Sequence, residues 1–278
     1  MYLGSHTCCA DTWTTLDNYP GASSTSFGGV SKGNIVGTYS TWIGNSGFVY
    51  NGTIWKSIHM SGSGSTRIYD INNNCLVDAV DQSGALYNMT TQDWTLINMP
   101  GASTTEVYDI EGDILVGSAY QDGFIYNITT QDWTILTVPI ANASNIKIVG
   151  IDGSRIIGNY STGIDWETRF HSFLYDTITQ DWTFLDMPGS WHIFVADIDG
   201  DNIVGYTYLH GFLYNLSTQS WTILDYPGAD YTSVCGIDGN KIVGSYHIPF
   251  TNYGFTYTIP EPTTLVLLSL GVLLIRRK

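Results

Sequence analysis

A repeat of about 40 residues constrains the fold of this chain more than any other sequence feature. Six tryptophans follow one another at intervals of 42, 39, 39, 49 and 39 residues, and each has Leu or Ile three positions later. Repeats of this length are typical of arrays whose units bury their apolar faces only against one another. The repeated tryptophans are Trp13, Trp55, Trp94, Trp133, Trp182 and Trp221.

Each unit contains four short apolar runs separated by turn-forming residues. In the last unit, residues 232–237 are followed by Asp238-Gly239, a favoured hairpin pair, and then by runs at 241–246 and 254–257. In earlier units a Thr-Gln-Asp turn leads into the Trp run, which ends at Pro-Gly-Ala in three of the six units. No helical periodicity is sustained before residue 260. The pattern predicts an all-β fold with four antiparallel strands per unit, as in a propeller blade.

The two ends of the repeat region predict a closed ring. The repeats begin on a fourth strand at Trp13 and end after a third strand at Thr258. If the first strand completes the last unit, six blades and 24 strands close without an exposed sheet edge. A solenoid would leave an unpaired strand at each end, and seven blades would require further N-terminal sequence. We therefore predict a six-bladed β-propeller over residues 13–259.

The charge balance excludes one class of partner. The net charge is −15, and up to Ile259 the chain has seven basic and 24 acidic residues. A surface this negative repels phosphate backbones, so we expect no nucleic-acid binding. The four cysteines include the adjacent pair Cys8-Cys9 and have no CxxC spacing, so they predict neither a zinc site nor a disulfide scaffold.

The units resemble two known kinds of propeller repeat. The Tyr-x6-Trp spacing and the Gly after each second strand resemble kelch-type repeats, although Asp78 replaces that Gly in the second unit. The runs at 171–175 and 210–214 resemble the HAF repeats of bacterial extracellular proteins. These resemblances imply a propeller but leave its function open, because propellers host many activities. The glycines concerned are Gly37, Gly117, Gly158, Gly205 and Gly244.

The C-terminal segment, residues 260–278, resembles a PEP-CTERM sorting signal. The resemblance implies that an exosortase recognises the tail in the membrane and delivers the protein to the envelope or an extracellular polymer. An apolar stretch stopped by cations places its basic end in the cytoplasm and the repeats outside. Its 13 uncharged residues give ~20 Å of helix against ~30 Å of hydrocarbon, which favours a temporary anchor over a permanent span. The alternative is a buried C-terminal helix. The signal consists of Pro260, Glu261, Pro262, the apolar stretch 263–275, Arg276, Arg277 and Lys278.

The N-terminal segment, residues 1–12, conflicts with export. It has neither a basic n-region nor an apolar h-region, so it is not a signal peptide. We expect it to be disordered, or the true start of the protein to lie upstream. Insertion of the C-terminal anchor after synthesis is the alternative.

Binding is expected on one face of the predicted ring. The Asp-Gly and Thr-Gln-Asp turns share one face, and the Pro-Gly-Ala links and variable loops, including the insertion at 163–169, share the other, which we call the variable face. Exposed aromatic rings there can stack on sugars while Asp and Asn bind hydroxyl groups. The alternative is that these rings fill the central channel or cover loop bases. The candidates are Trp42, Trp166, Trp191, His210 and Tyr231, together with Phe250.

Catalytic and metal-binding signals are few. The repeats contain only three glutamates, and nothing places two carboxylates at a glycosidase separation. Nucleophile-elbow, P-loop and HExxH motifs do not occur, and the aspartates at 197, 199 and 201 lack the remaining residues of an EF-hand. His171 and His210 occupy one repeat position, which indicates a role in loop structure. The glutamates are Glu106, Glu111 and Glu167.

The sequence therefore favours a non-enzymatic, exported propeller that binds or builds at the cell surface or in an exopolysaccharide matrix. We expect no cofactor and no metal. The expected partners are an exosortase-type enzyme, polysaccharide or envelope components, and the membrane through residues 263–275. The alternative is a secreted carbohydrate-active enzyme, a glycoside hydrolase or lyase.

Overall fold

A computed structural model of the chain describes residues 12–163, 167–249 and 251–260. These residues form six four-stranded antiparallel sheets, which confirms the predicted six-bladed propeller. The expected C-terminal helix and most of the sorting tail lie outside the described residues. Within the described residues, no helix has the length and apolar character that crossing a membrane requires.

The blades follow one another along the chain, and the first strand of each contacts the first strands of its neighbours around the central axis. Blade 1 consists of β2 (Ser24–Ser31), β3 (Asn34–Thr41), β4 (Gly44–Tyr50) and β5 (Trp55–Ile58). Blade 2 consists of β6 (Thr66–Asn72), β7 (Cys75–Val80), β8 (Ser83–Asn88) and β9 (Trp94–Ile97). Blade 3 consists of β10 (Thr105–Glu111), β11 (Ile114–Ala119), β12 (Asp122–Asn127) and β13 (Trp133–Leu136).

The second half of the ring repeats this arrangement. Blade 4 consists of β14 (Ser144–Asp152), β15 (Arg155–Thr162), β16 (Arg169–Asp176) and β17 (Trp182–Leu185). Blade 5 consists of β18 (Phe194–Asp199), β19 (Asn202–Tyr206), β20 (Gly211–Asn215) and β21 (Ser220–Leu224). Blade 6 consists of β22 (Tyr231–Asp238), β23 (Lys241–Ile248), β24 (Thr251–Thr258) and the N-terminal strand β1 (Thr12–Leu16).

The N-terminal strand closes the ring as the sequence predicts. β1 pairs with β24 in antiparallel register from Thr12 opposite Thr258 to Leu16 opposite Gly254. This pairing supplies the fourth strand of blade 6. Closure by a borrowed strand gives every blade the same number of strands and leaves the inner strands of the ring without a gap.

The Tyr-x6-Trp spacing has a structural cause. Tyr and Trp lie directly opposite each other on the third and fourth strands of a blade, as in Tyr126 opposite Trp133. Their ring centroids are 4.3 Å apart in that pair and in Tyr50–Trp55. Cross-strand aromatic pairs of this kind stabilise a sheet, so the repeated residues belong to the packing of the blades.

Candidate functional site

A β-bulge occurs at the same position of the innermost strand in all six blades. A bulge inserts an extra residue into one strand and re-aims its side chain. Here the extra residues face the channel and line one cavity of about 440 Å³, which we call the central cavity. They are Gly28, Tyr69, Tyr108, Val149, Ala196 and Cys235.

The central cavity has two unlike sides. Blades 2 and 3 contribute Tyr69 and Tyr108, whose ring centroids are 4.9 Å apart in an edge-to-face arrangement. Blades 1, 5 and 6 contribute the small residues Gly28, Ala196 and Cys235. The small side chains leave the space that a ligand could fill against the tyrosines. Further rings come from blades 4 and 5 near the variable face, namely Tyr160, Phe170, Phe194 and Tyr206.

A carboxylate fixes the two tyrosines. Glu106 accepts hydrogen bonds from the hydroxyl of Tyr108 at 2.5 Å and from that of Tyr69 at 3.5 Å. Burial, followed by the charge of Glu106, raises the pKa of Tyr69 to about 12 and also raises the pKa of Tyr108. Both hydroxyls therefore stay protonated at neutral pH.

Lys147 brings a positive charge to the same wall. Its Nζ lies 3.9 Å from Oε2 of Glu106 and 5.5 Å from the ring centroid of Tyr108. The ion pair and the cation–π contact hold the ammonium beside the cavity while leaving the charges balanced. This wall therefore offers hydrogen-bonding groups without a net charge.

Two asparagines add fixed polar groups at the cavity. Asn145 has a φ of 52° at a second irregularity of β14, and its Nδ2 donates to Ser161 Oγ at 2.9 Å. Asn159 Oδ1 accepts the backbone N–H of Val195 at 2.9 Å, and its Nδ2 donates to the carbonyl of the same residue. Positive φ at a non-glycine residue is a strained geometry that concentrates at functional sites.

Three aspartates form the floor of the channel, one position beyond the bulge. Asp109 accepts the N–H of Ile110 at 2.5 Å and of Ile151 in the next blade at 2.7 Å. Asp197 likewise accepts the N–H groups of Ile198 and of Ile237 in the next blade, both at 2.7 Å. These carboxylates therefore join blade 3 to blade 4 and blade 5 to blade 6.

The third aspartate of the floor, Asp70, lies against Gly29 of blade 1. A Cβ at position 29 would be only 1.6 Å from Oδ1 of Asp70, so only glycine fits there. Burial, then the charges of Asp109 and Asp197, raise the pKa of Asp70 well above its usual value. A side-chain hydrogen bond to Asp109 also contributes to this rise. Burial also raises the pKa of Asp109 and, strongly, that of Asp197.

A second, smaller cavity of about 130 Å³ opens below the floor on the face of the Asp-Gly turns. Its carboxylates bond to backbone N–H groups of the next blade. These turn ties are Glu111 to Gly153, Asp152 to Gly200, Asp199 to Gly239 and Asp238 to Lys32. In the described part of the chain, no group of three or more His, Cys, Asp or Glu side chains is arranged to hold a metal ion.

The structure places the sequence-predicted binding residues on loops and strand ends of the variable face, outside the central cavity. Trp42 is 94% exposed in the β3–β4 turn, and Trp191 is 73% exposed between β17 and β18. His210 Nδ1 is hydrogen-bonded to Asp225 Oδ2 at 2.9 Å. Tyr231 stacks on His247 of β23. None of these four lines the central cavity, whereas Trp191 lines two depressions near the rim. Trp166 and Phe250 lie outside the described residues.

The channel residues were not identified from the sequence, although a signal for them exists. Most positions of the inner strand repeat the same residue type, but the bulge position varies among Gly, Tyr, Val, Ala and Cys. The next position is Asp in three blades and Gly in the other three. A position that varies within an otherwise constant repeat indicates a residue that is free of packing constraints, as in a lumen.

Comparisons with known proteins support the fold. No family model matches the chain, and no curated protein matches it. The solved extracellular domain of a putative one-component system from B. thetaiotaomicron is similar at 19% identity with a TM-score of 0.52, over 87% of this chain and 34% of that one. TolB from Acinetobacter baumannii is similar at 12% identity with a TM-score of 0.51, over 81% of this chain and 63% of that one. This chain thus spans about a third of the first protein, and at these identities the similarity shows a common fold.

Proposed function

We propose that this chain is an exported, non-enzymatic bacterial propeller that binds a neutral carbohydrate in the central cavity. The observation that carries this proposal is a cavity of about 440 Å³ with aromatic walls and a few fixed polar groups. Small-molecule sites in proteins combine these properties: a concave apolar surface and a small number of placed hydrogen-bonding groups. The proposed setting is the cell surface or an exopolysaccharide matrix.

The chemistry of the walls favours a sugar. The rings of Tyr69 and Tyr108 offer apolar surface for the C–H faces of a pyranose, and their hydroxyls offer hydrogen bonds to its edges. Lys147 is paired with Glu106, so the wall does not select a charged ligand. A neutral polyhydroxylated ring matches these groups better than an anion or an amine does.

A carbohydrate-active enzyme is the second candidate, because Asp70 and Asp197 line the central cavity with raised pKa values. A carboxyl group that is protonated at neutral pH can act as a general acid. Against this role, Asp197 accepts two backbone N–H bonds and Asp70 is hydrogen-bonded to Asp109. These contacts support a structural role for the floor.

The proposed delivery to the cell surface rests on the tail, residues 260–278, and its resemblance to a PEP-CTERM signal. An exosortase-type enzyme would recognise the tail while the C-terminus is cytoplasmic and residues 263–275 lie in the membrane. The extracellular setting of the similar B. thetaiotaomicron domain supports export by analogy. Cell fractionation of the full chain, with and without a co-expressed exosortase, tests the proposal. Loss of the tail only with the exosortase is expected, and an identical product in both strains would contradict it.

A glycan array with the full chain in detergent tests the binding function. We expect retention of neutral glycans and a loss of about tenfold or more in affinity for Tyr108→Ala, which removes one wall of the central cavity. Trp42→Ala is the matched control, because it removes an exposed aromatic ring from the same face outside the cavity. If Trp42→Ala abolishes retention and Tyr108→Ala does not, the loop aromatics form the site instead.

The retained glycan is then incubated with the wild type and with Asp70→Asn, and the products are separated by chromatography. An intact glycan in both samples is the result expected of a binding protein. Cleavage by the wild type that Asp70→Asn abolishes would establish the enzyme instead.

A further inference from the structure

The central cavity is adjacent to a depression on the variable face at the junction of blades 4 and 5. Phe170 lines both the central cavity and a depression of about 290 Å³ on the variable face, and Trp191 lines that depression at its outer side. We propose that the ligand is an oligosaccharide: its terminal unit occupies the central cavity, and its following units run outward over this junction to Trp191. This inference rests on the proposed function and adds the length and the direction of the ligand.

A continuous series of rings marks the path. The ring centroids of Tyr206 and Phe194 are 5.3 Å apart, and those of Phe194 and Phe170 are 5.0 Å apart. Phe170 lies 5.7 Å from His192, which is 4.7 Å from the 67% exposed Tyr208. Each ring packs on the next, so the series runs from the channel wall to the exposed ring of Tyr208 at the junction of blades 4 and 5.

Beside the end of this series, Trp191 presents an exposed indole that lines the same depression as Phe170. Trp191 is 73% exposed, and the guanidinium carbon of Arg169 lies 5.1 Å from its ring centroid. This cation–π contact holds the orientation of the ring. Trp191 and Arg169 also line a further depression of about 510 Å³, so the indole stands between two hollows. An oriented, exposed indole between hollows is a stacking platform for a sugar ring.

Polar groups accompany the rings along the path. Asp186 and Ser190 line the depression of about 290 Å³ together with His171, whose Nε2 lies 2.9 Å from Thr162 Oγ1. His192 Nδ1 accepts the backbone N–H of Phe170 at 3.3 Å. Alternating rings and hydrogen-bonding groups match the faces and edges of successive sugar units.

The floor of the channel determines the direction of the ligand. Asp70 is hydrogen-bonded to Asp109 there, and Asp109 and Asp197 accept backbone N–H groups of the next blade. An oligosaccharide that enters from the variable face therefore reaches the floor with its terminal unit. Its remaining units must extend back towards the variable face. The row of rings between blades 4 and 5 provides that exit.

The test is a size series of neutral oligosaccharides of β-1,4-linked glucose and β-1,4-linked N-acetylglucosamine, each from one to six units, extended by the matching series of any glycan that the array retains. Each is titrated calorimetrically against the full chain, Trp191→Ala and Trp42→Ala. We expect affinity to increase with length over the first three or four units. Trp191→Ala should lower the affinity for the longest sugar about tenfold or more and leave that for the shortest unchanged, whereas Trp42→Ala should change neither.

The outcomes separate this inference from the proposed function. If short sugars bind and affinity does not increase with length, or if Trp191→Ala binds long sugars as the wild type does, the outward path is wrong and the central site remains. If no sugar of any length binds, both proposals are wrong. Binding of a protein segment at Trp191 without sugar binding would also overturn the inference. Thermal melting of Trp191→Ala shows that the variant is folded, as expected for a side chain this exposed.

Discussion

Blades 2 and 3 are neighbours of similar length, but they pack their second and third strands differently. In blade 3, Gly117 lies opposite the fully buried Phe124, and a Cβ at position 117 would be 2.0 Å from the carbonyl oxygen of Glu106. The same Cβ would lie 2.7 Å from Cζ of Phe124, so both the backbone carbonyl and the phenyl ring require glycine at this position. In blade 2, Asp78 lies opposite Ala85 at the same place. The other four blades follow blade 3, with the pairs Gly37–Phe48, Gly158–Phe173, Gly205–Phe212 and Gly244–Phe255.

The exchange in blade 2 replaces an apolar contact by a buried carboxyl group. Oδ1 of Asp78 accepts the N–H of Arg67 at 2.6 Å, whereas Oδ2 has no hydrogen-bond partner in the described residues. The side chain is fully buried, and burial raises its pKa to about 7. Both positions of the cross-strand pair therefore differ in blade 2. Blade 2 buries a carboxyl group where the other blades bury a phenyl ring.

Blade 2 also lacks the turn ties that join other blades. The junctions from blade 3 to 4, 4 to 5, 5 to 6 and 6 to 1 each have a carboxylate bonded to the next turn. At the two junctions of blade 2, Ser31 and Asn72 occupy the carboxylate position. The turns of blades 1 and 2 are joined instead by a side-chain bond, in which Lys32 Nζ donates to Asn73 Oδ1 at 2.5 Å. We infer that blade 2 is the least stable part of the ring.

The largest expected effect comes from removing a phenyl ring in a blade that requires it. Phe124→Ala should lower the free energy of unfolding by about 3–5 kcal/mol, because a fully buried ring is lost and a cavity remains. Denaturant unfolding at one pH measures this change. The matched control is Ala85→Gly at the same position of blade 2, with an expected loss of about 1 kcal/mol. Equal losses in the two variants would show that the blades do not differ in this way.

The next effect depends on pH. The pKa of Asp78 is raised from 3.8 to about 7, so the folded state binds this proton more tightly than the unfolded state. The stability associated with Asp78 is therefore complete below about pH 4 and is lost as the pH rises through 7. Asp78→Asn should be more stable than the wild type at pH 8, by up to about 4 kcal/mol, and equal to it near pH 4.

Unfolding midpoints at pH 4, 6 and 8 measure this difference. The floor aspartates also have raised pKa values, but they are present in both proteins, so their contribution cancels. Asp122→Asn, at an exposed position in the blade 3 turn, is the control and should show no such trend. A difference between Asp78→Asn and the wild type that stays constant with pH would refute the burial argument.

The smallest effect concerns the missing turn tie. Asn72→Asp should place a carboxylate within reach of the next turn and raise stability by about 1 kcal/mol. Amide hydrogen exchange at Gly112 should slow in this variant. Conversely, Asp238→Asn should weaken the existing bond to Lys32, which is 2.6 Å long, and speed exchange at that amide. Unchanged exchange at Gly112 would mean that the position does not form a tie.

The blade count and the strand order could be predicted from the sequence because they depend on local spacing, and the closure by β1 because the repeats begin on a fourth strand and end on a third. Each Tyr–Trp pair spans only a short turn, and each Asp-Gly turn fixes its own hairpin. The same counting identified Asp78 as the exception to a repeated Gly. The repeat period therefore predicts the features that depend only on residues within one blade.

The central cavity could not be predicted in this way because it depends on six blades at once. Alternation of side chains along a strand fails at a bulge, so the orientation of Tyr69 and Tyr108 did not follow from their positions. Likewise, Trp42 and Trp191 lie in loops, and their distance from the axis depends on loop conformation. The prediction that the loop aromatics bind a ligand remains to be tested.

The pairing of β1 with β24 has a consequence for folding during synthesis. The ribosome releases Trp13 more than 200 residues before its partner Tyr257, so the first strand emerges long before the blade that it completes. Blades 1 to 5 each contain all their strands in one continuous segment and can form in order of synthesis. The last blade must capture a strand made at the beginning, so closure of the ring is a long-range, late event. Until then, the inner strands of blades 1 and 6 lack each other as neighbours, and the central cavity does not yet exist.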